Sequence, residues 1–201
     1  MSGYLLKFKQ TYSVNIGGRR YPVVKIGNQL WMAENLDWKF EGCVIGTGDM
    51  TTTEPRGNYY NNDENTYGIN GNKCGLLYNW PSAKSINDML TDGWRVPSLE
   101  DMSILSKYLV DNQALKLKSS SGWYDGGNGT DEYGFSAVPT GFRQTDFMNV
   151  GKSNVLWTMT QIGTYDSQAR GFSYNITGNL YGGFGTNKGF RFSIRLVKSL
   201  T

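Results

Sequence analysis

The chain closes on a run whose side chains alternate without a break, Phe190-Arg191-Phe192-Ser193-Ile194-Arg195-Leu196-Val197-Lys198. Phe190, Phe192, Ile194 and Leu196 fall on one side of it, and Arg191, Ser193 and Arg195 on the other. A period of two is that of a half-buried strand, so the run predicts a sheet with one face on a core and the other in water. The stretch before it, Gln144 to Lys188, is rich in Asn, Ser, Thr, Tyr and Gly and poor in aliphatics. Two apolar anchors interrupt that stretch, Val155-Leu156-Trp157 and Gly171-Phe172. A polar and aromatic segment, pinned at intervals and closed by a strong strand, is suited to presenting side chains to a partner. The rest of the chain reads as its support.

A length of 201 residues is enough for one domain with a real core, with or without a short appendage. Aromatics at 14% and a net charge of only +3 exclude a disordered composition, and 26 glycines favour turns and short strands over long helices. Lys and Arg do not cluster, so no nucleic-acid partner is expected. No run approaches the ~20 apolar residues of a membrane span, and none is expected. The first ten residues lack the apolar core and cleavage site of a signal peptide: either export does not use that route, or the sequence begins after one. There is no histidine, which removes Ser-His-Asp and Cys-His catalysis and any zinc site that needs imidazole. Cys43 and Cys74 leave one disulfide open, since two lone cysteines say little about redox compartment.

Residues 1–20 read as an extended arm or strand ending in the Gly17-Gly18 turn, with the domain proper over 21–201. Tyr21–Ile26 and Gln29–Met32 flank Gly27-Asn28 as a hairpin. Residues 41–75 read as a long surface insertion tacked down by Tyr59, Tyr60 and Tyr67. Ala83, Ile86 and Leu90 give a helix over Ser82–Leu90. Ser98 caps a second helix, with Glu100 and Asp101 in its first turn and a buried stripe of Met102, Leu105 and Leu109 widened by Ile104 and Tyr108. Leu115–Lys118 and Ser119–Trp123 read as extended or irregular, and Gly182–Gly189 as a loop turn rather than a phosphate loop. The fold class is α+β with much irregular chain. Strands and helices do not alternate, which argues against a doubly wound sheet.

Several of these anchors, in order, resemble the Fibrobacter succinogenes major paralogous domain. They are Ile26-Gly27-Asn28-Gln29-Leu30-Trp31-Met32-Ala33-Glu34-Asn35-Leu36, Gly75–Trp80, Gly93-Trp94-Arg95-Val96-Pro97-Ser98, Leu115–Ser119, Gly122-Trp123, Gly129–Ala137, Gly141-Phe142-Arg143 and the closing run. The resemblance spans about residues 20 to 198. It implies a C-type lectin-like fold: N- and C-terminal strands that pair, two helices around small antiparallel sheets, and a face of long loops. One subset of such domains serves as the variable protein of diversity-generating retroelements, where adenine mutagenesis scatters Asn codons into Tyr, Ser, Asp and Gly. The composition of 144–188 is what such a product would have.

On that basis the chain is expected to be a non-enzymatic ligand-binding protein whose partner is a protein or surface-glycan receptor. The expected setting is a phage tail tip or a bacterial surface, with the absent signal pattern leaning to the former. A tail-fibre tip would be a trimer and a free-standing adhesin domain a monomer. The expected contacts are Asn149, Lys152, Asn154, Tyr165, Asp166, Ser167, Arg170, Tyr174, Asn175, Asn179, Tyr181 and Asn187, because Tyr gives stiff contact area and Asn and Ser give adaptable hydrogen bonds. Trp31, Trp80, Trp94, Trp123 and Trp157 are expected as core anchors, while Trp38 lies off the motifs and is left open. Asp125, Asn128, Asp131 and Glu132 are oxygen donors of the kind calcium takes, but their spacing fits no calcium loop. They are expected to bond loop backbone, and no metal or other cofactor is expected. Two alternatives stay open. One is an enzyme on the same fold, such as a formylglycine-generating type, although no cysteine follows Cys74 to act as nucleophile. The other is a structural subunit of a fibre or surface assembly.

Overall fold

Gly17 and Gly18 both take positive φ, 58° and 79°, the mirror-image turn whose twist matches that of the strands it joins. It closes a hairpin between β1 (Tyr12–Ile16) and β2 (Arg19–Ile26). The turn at Gly27-Asn28 then leads into β3 (Gln29–Met32) in the expected register, with Ile26 opposite Gln29. The computed structural model of the chain describes residues 12–200 except 47, 49, 65–73, 165 and 174, and only the backbone at 168, 170 and 181–184.

The long segment between β3 and the helices holds β4 (Val44–Ile45), β5 (Arg56–Asn58) and β6 (Leu77–Tyr78), which form one small sheet. Tyr59 and Tyr60 are half-buried within it, and Tyr67 lies outside the described residues. Helix α1 (Trp80–Met89) begins two residues before the expected start, because Asn79 accepts from the Ser82 N–H and Pro81 suits a first turn. Helix α2 (Leu99–Leu109) has the expected Ser98 cap, made reciprocal by Asp101. Met102, Leu105 and Leu109 are buried, but Ile104 and Tyr108 are exposed, so the stripe is narrower than its sequence suggested. Gln113–Leu117 is a third helix, α3, where an extended segment was expected. It buries Gln113, Ala114 and Leu117, and this tertiary contact outweighs a weak local signal.

The last third of the chain is mostly sheet. β7 (Phe142–Arg143) pairs with β8 (Phe147–Met148). β9 (Ser153–Gln161), β10 (Asp166–Ser173) and β11 (Tyr181–Asn187) form a three-stranded antiparallel sheet in the order β11-β10-β9. Gly182–Asn187, expected as a loop, is therefore strand, with the turn only at Lys188-Gly189. The final strand β12 (Val197–Ser199) pairs with β3, placing the C-terminal strand in the first sheet in the order β1-β2-β3-β12.

The closing run is where sequence and structure differ most. Only 197–199 is regular strand, and residues 191–193 make single bridges to Arg143, Tyr78 and Leu156. Phe192, Ile194 and Leu196 are buried as expected, but Arg191, Ser193 and Arg195 are buried too. The run is threaded between layers and has no wet face. Its arginines bond mostly to main-chain carbonyls. Arg195 donates to Asn35 Oδ1 at 2.7 Å, to Ser136 O at 2.7 Å and to Phe135 O, with its guanidinium over the Phe135 ring. Arg191 donates to Gly46 O and Gly48 O, each at 3.2 Å. Burial pulls the two guanidinium pKa values down, to about 9 for Arg195 and about 10 for Arg191, and both stay charged at neutral pH.

Trp31, Trp80, Trp123 and Trp157 are buried, as anchors should be. Trp94 and Trp38 are each half-buried at the margin of the core. Cys43 and Cys74 are both free thiols.

Candidate functional site

Within the β9–β10–β11 sheet, β9 is buried over its first six residues and β10 at Ser167, Ala169, Gly171 and Phe172, while the turn joining the two strands is exposed. Ser153 through Thr158 are buried, whereas Gln161 to Thr164 and Asp166 are exposed. The turn from β9 to β10 is tight: Gly163 and Ile162 both donate backbone N–H groups to Asp166 O. Asp166 sits directly across from Asn187 on β11. Together with Gln161, Ile162, Thr164 and Gly185, these residues make a polar tip with one exposed aliphatic, Ile162, at 52%.

The tip is held from beneath by a buried lysine. Lys188 Nζ donates to Gly163 O at 3.0 Å and Thr164 O at 2.7 Å, and it lies 4.4 Å from the centre of the Trp80 ring. Burial lowers its pKa, which the nearby Asp166 carboxylate partly offsets. A charged group out of water persists where its donors are used, and here the turn carbonyls and the indole face supply the partners.

The opposite end of the sheet carries a second group. Asn149, at φ 57°, accepts from the backbone N–H groups of Lys152 and Ser153 through its carbonyl, closing the turn into β9. Lys152 is exposed, with Nζ 4.7 Å from the centre of the Tyr124 ring. Ser153 pairs with Ser173, so this turn lies beside the exit of β10. There Asn175 and Asn179 are exposed on a connection whose backbone is bound by α3: Ala114 N–H donates to Gly178 O and Leu115 N–H to Thr177 O. The helix missed in the sequence is what fixes that loop.

Of the expected contacts, Asn149, Lys152, Asp166, Asn175, Asn179 and Asn187 are exposed. Two are not surface residues. Asn154 is fully buried and donates Nδ2 to Val138 O at 2.6 Å; Ser167 is fully buried and donates Oγ to Thr160 O at 3.0 Å. They brace the sheet, and their place on inward registers of β9 and β10 explains why polarity alone misread them. Tyr165 and Tyr174 lie outside the described residues, and of Arg170 and Tyr181 only the backbone, in β10 and β11, is described. The exposed set divides between the two ends of β10, whose eight residues span roughly 25 Å. Gln161, Ile162 and Thr164 were not anticipated. Gly163 between two strand-forming runs was the available signal for a turn there.

Of the oxygen donors at 125–132, Asn128 and Asp131 bond residues flanking the loop. Asn128 Oδ1 accepts from the Trp123 N–H at 3.0 Å, and the Asp131 carboxylate accepts from the Ser136 N–H at 2.7 Å and from the Ser136 hydroxyl. Among the described residues no helix is long and apolar enough to cross a membrane.

The family model of the Fibrobacter succinogenes major domain matches residues 24–198. No curated protein and no solved structure matches the chain.

Proposed function

We propose that this chain, which belongs to the Fibrobacter succinogenes major domain family, is a non-enzymatic binding protein that offers the β9–β11 sheet and its end loops to a macromolecular receptor. The observation that carries the reading is the division within one sheet between locked and free residues. Asn154, Ser167 and Lys188 are spent on internal bonds, while the side chains of Thr164 and Asp166 stand at an exposed tip that Lys188 holds in place, beside Asn187, whose Oδ1 accepts from the Gly189 N–H at 2.8 Å and whose amide stays exposed. A pre-set backbone lowers the ordering cost of binding and leaves specificity to the exposed side chains. The spacing favours a large partner. An interface of about 800 Å² per side is as wide as the separation of the two exposed ends, whereas a small ligand would meet only one of them.

The C-type lectin-like assignment is part of the same proposal. It is supported by a C-terminal strand that joins the N-terminal sheet, with two longer helices and small antiparallel sheets. Diversification by a retroelement is supported by the Asn, Ser, Tyr and Gly content of 144–188. A phage tail tip or bacterial surface is the setting that follows from it, and the receptor is then a surface protein or glycan chain of a bacterial cell. The test is binding of the fluorescently labelled domain to a panel of intact bacteria, read by flow cytometry. The wild-type chain is expected to label at least one strain, and the combined Thr164→Ala, Asp166→Ala, Asn187→Ala chain to keep its fold and lose that labelling. Full labelling by the folded variant refutes this face as the receptor surface.

A further inference from the structure

Four of the tryptophans, Trp31, Trp80, Trp123 and Trp157, give their indole N–H to partners inside the protein, namely Gln29 Oε1, Thr158 O, Ser119 Oγ with Ala137 O, and Tyr78 O. Trp38 and Trp94 do not. Neither indole N–H has a partner among the described residues, and neither is sealed from solvent. These two side chains line the same cleft, about 390 Å³ in volume, between edge strand β1 and the turn after α1. Water can reach both donors, so a ligand entering the cleft would meet two indole faces for apolar contact and two N–H groups not already bonded to the described residues.

The backbone around both residues is fixed. The Trp38 N–H donates to the Tyr78 hydroxyl at 2.7 Å, and that buried hydroxyl returns a bond to Trp38 O. Trp38 also lies over Gly17, where a Cβ would come within 2.1 Å of its ring, so the glycine is needed for the ring to sit there. Trp94 donates its backbone N–H to Thr91 O across a turn in which Asp92 and Gly93 both have positive φ, 57° and 77°. Such a conformation in a non-glycine residue carries strain of a kind often found at binding sites. Among the described residues the remaining wall supplies the polar groups Ser13, Asn15, Thr91 and Asp92 and no Lys or Arg of its own, although Ser13 Oγ accepts from Arg20 Nε at 2.8 Å.

We infer that this cleft is a saccharide-binding site for a neutral or amino sugar, separate from the β9–β11 surface. A sugar ring presents a C–H face suited to an aromatic wall and a rim of hydroxyls suited to free indole N–H, amide and carboxylate groups. Asp92 is the one charged group among the described lining residues, and its negative charge disfavours phosphorylated, sulfated or carboxylated ligands. The volume suits one or two hexose units. Among the described residues β1 is an edge strand, so its outer backbone groups pair with no described strand.

The experiment is a ¹H–¹⁵N spectrum of the full chain in the indole region, which holds one signal for each of the six tryptophans. Trp38→Phe and Trp94→Phe assign the two of interest. N-acetylglucosamine, glucosamine, galactose, mannose and glucose are each added to about 20 mM, enough to reveal a millimolar site, with a tetra-alanine peptide alongside. The expected result is a saturable shift of the Trp38 and Trp94 signals with at least one sugar, while the other four stay still. Asp92→Asn, which keeps the turn, is expected to weaken that response at least tenfold, and the Asp166→Ala chain to retain it. The inference is overturned if no sugar moves the two signals, if the peptide alone moves them, or if folded Asp92→Asn responds like the wild type.

Discussion

Arg195 shows how a single side chain can be spent wholly on architecture. Its guanidinium ties the final segment to Asn35, just after β3, and to the carbonyls of Phe135 and Ser136. From the sequence its place in an alternating run pointed to solvent. What the sequence could not state is that a second layer covers that face, because the covering residues are distant in the chain. Replacing Arg195 with Met leaves buried acceptors without donors, and each costs about 1–3 kcal/mol. The expected result is a loss of about 3 kcal/mol or more in urea unfolding, much larger than for Arg20→Met on exposed β2 surface. Asn154 and Ser167 carry the same lesson. Polar residues in a strand read as surface, yet these two satisfy the carbonyls of Val138 and Thr160 from inside.

At the level of elements, the helices with strong local signals were legible and the one without was not. Ser98 with Asp101 is a capping pair that any sequence reading finds, and the structure ties it further. Arg95 reaches both Asp101 carboxylate oxygens, and Gln29, which itself accepts from the Trp31 indole, donates to Asp101 O. Burial would raise the Asp101 pKa, but the bonds from Arg95 and from the Ser98 N–H and hydroxyl outweigh it, so the net direction is downward. A carboxyl with a depressed folded pKa adds stability above its unfolded value near 3.8, and that contribution is lost as pH falls through the folded value. Asp101→Asn is therefore expected to cost about 2 kcal/mol at neutral pH, with the gap to wild type closing below about pH 4. Urea unfolding at neutral and acid pH checks this. Helix α3 has only five residues and an Asn112 cap with left-handed φ, so nothing local announced it. The tip of β9–β10 depends on an element-level contact as well. Lys188→Met is expected to speed hydrogen exchange at the Ile162 and Gly163 amides while lowering global stability by only about 1 kcal/mol, since the freed carbonyls belong to exposed residues that water can reach.

For the whole molecule, the scaffold buries polar side chains such as Asn154, Ser167 and Arg195 in internal bonds, while Lys152, Thr164, Asp166 and Asn179 stand exposed at the ends of the β9–β11 sheet. The composition of 144–188 suggested the exposed ends, and the tryptophan and glycine motifs suggested the scaffold. Pairing order and inward register came only from the folded chain. The separation has a direct consequence that needs no knowledge of the receptor. Exposed substitutions away from internal bonds usually change stability by no more than about 0.5 kcal/mol each, whereas removing a buried hydrogen-bonding partner costs about 1–3 kcal/mol. The decisive measurement compares urea unfolding of the wild type, a chain carrying Lys152→Ala, Thr164→Ala, Asp166→Ala and Asn179→Ala together, all exposed, and a chain carrying Asn154→Ala alone. The account predicts that the fourfold surface chain stays within about 1.5 kcal/mol of wild type and that the single buried change costs about 2 kcal/mol or more. A fourfold chain less stable than the Asn154→Ala chain would contradict it.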